Sequence, residues 1–166
     1  MVQLWVNLPA KDKKTKPKYQ EITNSKMGRY QLPNEKGFVE IIAGEYNGVK
    51  GPATTFTPLH AYNARLRKDA KLDISFPKEY NTGLLIVDGN VKVNGINAHA
   101  DHFVLLKNDG EDFSMEATED SIVLILSGEP INEPIVAYGP FVMNTWEEIE
   151  QAVNDVNAGK FGVLAD

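Results

Sequence analysis

The chain has 166 residues, 42% of them hydrophobic and 24% charged, which is enough for one domain with a real core. It contains no cysteine, which excludes disulfides, zinc–thiolate sites and a cysteine nucleophile. A formal net charge of −6 argues against a nucleic-acid partner, because neutralising phosphates needs a positive field.

No apolar run approaches the roughly 20 residues of a membrane span. The basic residues of "MVQLWVNLPAKDKK" follow the apolar stretch, the wrong order for a signal peptide, so a soluble, cytoplasmic protein is expected. In chain order, "VQLWVNLP" alternates, with Val2, Leu4, Val6 and Leu8 on one face and Trp5 on the other, and predicts a strand ending at Pro9. The lysine cluster Lys11, Lys13, Lys14, Lys16 and Lys18 reads as a solvated loop, with an acidic docking partner as the sharper alternative. "NSKMGRYQLPNEKG" is dense in turn residues and is expected to be irregular.

From Phe38 the pattern changes to repeated short strands. "FVEIIA", "ATTFT", "HAYNARL" and "LDISF" are predicted in turn, with His60, Tyr62, Ala64 and Leu66 sharing one face. "GLLIVDGNVKVNG" predicts a hairpin turning at Asp88-Gly89. "HFVLL", "DFSMEA" and "SIVLILSG" complete eight or nine strands, which suggests a sandwich or barrel. A helix follows: Thr145 as N-cap with Glu148 three residues on, an apolar stripe of Ile149, Ala152, Val153 and Val156, and Gly159 as terminator.

The segments "LWVNLPAKDK", "GVKGPATTFTPL", "LSGEPINEPIVAYGPFVMNT" and "EEIEQAVNDVNAGKFG" resemble the C-terminal half of the pirin family, from about Gln3 to Gly162. The resemblance implies an all-β fold: a single cupin-type jelly-roll barrel with a C-terminal α-helix. Within one domain spanning 1–166, residues 1–37 would form an N-terminal strand and loop, 38–128 the barrel core and 129–166 an extension with the helix. The helix would close the barrel end, and "YGPFVMNT" would reach toward a second barrel. Pirins are bicupins whose iron lies in the N-terminal barrel, so the resemblance implies no metal or other cofactor in this chain.

A cupin metal site needs two histidines two apart, a carboxylate further on and a later-strand histidine, because alternate strand residues converge inside the barrel. The corresponding positions here carry Phe76, Lys78 and Thr82, and "DFSMEATED" has no histidine. Of the three histidines, His60 is expected to line the core or a small-molecule pocket. His99 and His102 in "NAHADH" are weak metal candidates, since Asn97 stands where a first histidine would be required. No carboxylate pair, phosphate loop or nucleophile elbow presents a catalytic site.

The leading expectation is therefore a non-catalytic, metal-free binding or assembly module. Its partner would be a second copy, giving a homodimer, or a separate N-terminal-type barrel; any small-molecule ligand is unidentified. Trp5, Phe141, Met143 and Trp146 are the expected interface residues. The alternatives are the structural half of a split, metal-dependent quercetin 2,3-dioxygenase-like enzyme and a regulatory, protein-binding pirin.

Overall fold

The computed structural model describes residues 2–161. The chain divides into two compact units, Lys18–Pro130 and a second that joins the stretch up to Pro17 with the chain from Ile131 onward.

The larger unit is built from β1 (Gly28–Gln31), β2 (Gly37–Ala43), β3 (Glu45–Tyr46), β4 (Val49–Lys50), β5 (Leu59–Leu66), β6 (Lys71–Ser75), β7 (Asn81–Asp88), β8 (Asn90–Val93), β9 (Ile96–His99), β10 (Phe103–Leu105), β11 (Asp112–Ala117) and β12 (Ser121–Gly128). A six-stranded sheet runs β1-β2-β5-β12-β7-β10, and a four-stranded sheet runs β6-β11-β8-β9, with every ladder antiparallel. Period-2 alternation puts Ile41, Tyr62, Ala64, Leu84, Ile86, Val123 and Ile125 inward from the first sheet. Leu72, Ile74, Val91, Val93, Phe113 and Met115 of the second complete one apolar core. This is the jelly-roll barrel that the strand pattern and the resemblance imply.

Four local expectations are corrected. "VQLWVNLP" has no ladder: Val2, Leu4, Trp5 and Val6 are all exposed, so its alternation marks no buried face. "GRYQ", expected to be irregular, forms β1, because pairing with β2 outweighs weak local propensity. "ATTFT" forms no strand; the short β3–β4 hairpin precedes it instead. Asp88-Gly89 joins two different sheets, β7 to β8, and is a corner rather than a hairpin. A corner and a hairpin both demand positive φ (+78° at Gly89), so the dipeptide does not distinguish them. The two-residue hairpin of this segment is Asn94-Gly95, between paired Val93 and Ile96, with φ of 48° and 80° as a type I′ turn requires.

The second unit holds the hairpin β13 (Val136–Tyr138) and β14 (Phe141–Met143), and α1 (Trp146–Asn157), which packs against both strands. The Thr145 hydroxyl accepts from Glu148 N–H at 3.2 Å while the Glu148 carboxylate accepts from Thr145 N–H at 3.2 Å, the capping box anticipated from sequence. At the other end Gly159 (φ +70°) closes a Schellman motif, with Gly159 N–H on Val156 C=O and Lys160 N–H on Asp155 C=O, each 2.9 Å. Ile149 and Ala152 are buried, whereas Val156 is exposed despite lying on the apolar stripe. Lys13 is not a free loop lysine: it donates to Asn7 Oδ1 at 2.6 Å and to Val142 C=O at 3.1 Å. The Glu133 carboxylate ties Ala10 N–H (2.7 Å) to the Asn144 amide (2.9 Å).

Candidate functional site

The inward rows of β5, β12 and β7 are apolar along their middle, with Ser121 at one end of β12 and a wider polar row at the other. There the register sets His60 opposite Ser127 and Ser127 opposite Thr82. One polar row thus crosses three adjacent strands at the barrel mouth. Thr82 and Ser127 are buried and hydrogen-bonded to each other at 2.7 Å. Each hydroxyl carries one proton and one of the two is spent on that bond, leaving one O–H uncommitted.

His60 is held on several sides. Its Nδ1 lies 2.8 Å from the Tyr62 hydroxyl, which in turn donates to the Glu45 carbonyl at 2.7 Å. A carbonyl can only accept, so the Tyr62 proton goes to Glu45 and His60 Nδ1–H must be the donor to Tyr62. The imidazole is then the Nδ1–H tautomer with a bare acceptor lone pair on Nε2. Burial pushes the His60 pKa down and keeps the ring neutral, and burial raises the Tyr62 hydroxyl. The rings of Phe76 (4.8 Å between centroids) and Tyr80 (6.2 Å) flank the imidazole. Gly44 (φ +79°) passes so close that a Cβ there would strike the ring.

These residues do not suit an iron of the kind that the resemblance places in the family's other barrel. At the positions where a cupin metal site would carry its ligands, Phe76 is core, Lys78 is exposed and Thr82 is committed to Ser127. Among the described residues no three His, Cys, Asp or Glu side chains converge on one point. His60 lies at the barrel mouth, away from the exposed His99–His102 pair, whose rings stand 5.8 Å apart, His99 ending β9 and His102 just before β10. His99 Nδ1 bonds the Asn90 side-chain oxygen, and His102 Nδ1 bonds the carbonyls of His99 (3.1 Å) and Ala100 (3.2 Å).

All four expected interface residues fall in the second unit. Trp5 and Trp146 are 69% and 59% exposed, while Phe141 and Met143 are half-buried on β14. Trp5 and Met143 line one groove of about 260 Å³ together with Val6, Leu8, Pro140 and Val142; Phe141 and Trp146 lie outside it. Sequence reasoning assigned no role to Ser127 or Tyr62. The signal for both was phase: Ser127 shares the inward alternation of Val123 and Ile125, and Tyr62 that of His60.

The family model for the pirin C-terminal cupin domain matches residues 61–162. A Pseudomonas aeruginosa protein provisionally named as a quercetin 2,3-dioxygenase is 39% identical over 97% of this chain and 56% of its own length. A tomato pirin-like protein is 34% identical over 97% of this chain and likewise 56% of itself. The crystal structure of a quercetin 2,3-dioxygenase from Acinetobacter baumannii superposes with a TM-score of 0.92 at 41% identity, covering 97% of this chain and 56% of that one. The chain thus spans a little over half the length of these relatives.

Proposed function

The chain belongs to the pirin family, as its C-terminal cupin domain, and from that premise we propose that it is the structural half of a quercetin 2,3-dioxygenase-like enzyme whose metal is held by a second barrel. This replaces the expectation of a non-catalytic, metal-free module. Relatives aligned over 97% of the chain, at 39% and 41% identity, carry dioxygenase names, which favours the enzyme reading that was the alternative. The observation that carries the proposal is the 0.92 TM-score over nearly the whole chain. The barrel's own interior offers no three-donor set among the described residues, so its contribution is to the shape and closure of the enzyme rather than to metal ligation. Relatives nearly twice as long supply the rationale for a metal-bearing partner barrel.

Reconstitution tests this. The chain is mixed with a histidine-bearing N-terminal-type pirin barrel loaded with iron, and oxygen uptake is followed with quercetin. The expected result is at least a tenfold higher rate in the mixture than with either component alone. Turnover by this chain alone with stoichiometric bound metal, or no rise on mixing, would overturn it.

A further inference from the structure

We infer that the mouth of this barrel binds a small uncharged molecule carrying a hydroxyl on a flat ring, its O–H seated between His60 Nε2 and the Thr82–Ser127 pair. The inference goes beyond the dioxygenase reading and does not rest on it.

The chemistry of the row selects the ligand. His60 Nε2 can only accept a hydrogen bond, because the ring's one proton is committed at Nδ1 to Tyr62. The Thr82–Ser127 pair retains one O–H to donate. Ser127 stands directly across the ladder from His60, so an acceptor and a donor face one position from neighbouring strands. A hydroxyl satisfies both at once, since it donates and accepts. A carboxylate has no proton for Nε2, and an ammonium has no lone pair for the hydroxyl pair. No charged side chain belongs to the row, so an ion would be desolvated there without a counter-charge.

The walls select the body of the ligand. Phe76 and Tyr80 stand beside the imidazole with their rings tilted 40° and 42° to it, an aromatic surround that suits another flat ring. A cleft of about 80 Å³ adjoins the row at Thr82; Phe76, Tyr80, Leu106 and Phe113 form its apolar wall, Lys78, Lys107, Asp109, Glu111 and Asp112 also line it, and His60 and Ser127 do not. Its size is the liquid volume of roughly two or three waters, so a ring enters by its edge and the rest of the ligand lies outside. The site is also pre-oriented: Tyr62, Glu45 and the close pass of Gly44 fix the imidazole before any ligand arrives, which lowers the ordering cost of binding.

Nitrogen-15 NMR of the whole chain at neutral pH, titrated with phenol and with anisole, decides the matter. Without ligand, His60 should show the Nδ1–H tautomer. Phenol should move the His60 Nε2 resonance and the Ser127 amide saturably, with a dissociation constant on the order of millimolar, as suits so small a ligand. Anisole keeps the ring but lacks the O–H, and should bind at least fivefold more weakly. His60→Phe should abolish phenol binding. If that variant fails to fold, Ser127→Ala removes only a hydroxyl and should weaken phenol at least threefold. An Nε2–H tautomer, no saturable shift with phenol, equal binding of anisole, or undiminished binding in both variants would each overturn the inference.

Discussion

Glu40 is the one charged side chain among the described residues that is buried, at 1% exposure, and its partners explain how that is tolerated. It points outward from β2, between Arg29 of β1 and Asn63 of β5, its register neighbours. Arg29 donates to it at 2.7 Å, Asn24 at 3.0 Å and Asn63 at 2.8 Å, and Arg65 Nε lies 3.6 Å away. Burial alone would raise the carboxyl pKa, but the hydrogen bonds from Arg29, Asn63 and Asn24 outweigh it and hold the group below the ordinary 4.5. A depressed folded pKa means stability that is complete above the unfolded value and lost as pH falls through the folded one. Glu40→Gln should therefore destabilise the barrel by about 1–3 kcal/mol at pH 7, toward the lower end because the guanidiniums are partly solvated. The gap should narrow as pH falls below the ordinary carboxylate range. Urea unfolding of both proteins at neutral and at acid pH reads it, and a gap that does not change with pH would sink the assignment. Tyr62→Phe should cost about 1–2 kcal/mol, since it strips the Glu45 carbonyl and His60 Nδ1 of their shared partner.

At the scale of elements, α1 tests the capping argument cleanly, because each terminus turns on a residue that one substitution removes. Thr145→Ala removes one half of the capping box and should cost about 1 kcal/mol. Gly159→Ala puts a Cβ on a backbone at φ +70° and should cost a similar amount, about 1 kcal/mol. Amide exchange in α1 should accelerate about fivefold in either variant while β5 and β12 remain unchanged; unaltered α1 exchange would contradict the capping assignment. This helix was legible in the sequence to its caps because its signals are local. β5, β7 and β12 were legible because one face of each is buried. β1 was not, because "GRYQ" becomes a strand only through β2, and no local pattern records a partner. "VQLWVNLP" failed in the opposite sense, with ideal alternation and no sheet beside it. The candidate site was half legible. His60 stood out as a rare residue on an apolar phase, but Ser127 and Thr82 join it only through a register that pairs residues 45 positions apart.

At the scale of the whole molecule, the chain accounts for 56% of relatives that align with nearly all of it, and the function proposed for it calls for a surface that meets a second barrel. Two groups of exposed apolar side chains bear on that surface, apart from Tyr19, Phe56 and Ile96. On the barrel, Phe103 and Leu105 of edge strand β10 are 57% and 71% exposed, an unpaired edge of the kind proteins normally cover. In the second unit, Trp5, Ile135, Tyr138 and Trp146 are exposed. Large aromatic side chains dominate binding energy when an interface buries them. Trp5→Ala and Trp146→Ala should thus each weaken association with a metal-bearing barrel at least tenfold while leaving the circular dichroism of the barrel unchanged. Phe141→Ala should act differently, because Phe141 is half-buried on β14 against which α1 packs, and should loosen that hairpin and speed its exchange. Isothermal titration of each variant against the partner barrel, with light scattering of the chain alone, separates the cases. Self-association of the wild type that Trp5→Ala or Trp146→Ala abolishes would make a second copy the occupant of this surface. Undiminished binding to the partner barrel in both tryptophan variants would move the interface elsewhere, with the β10 edge the first place to look.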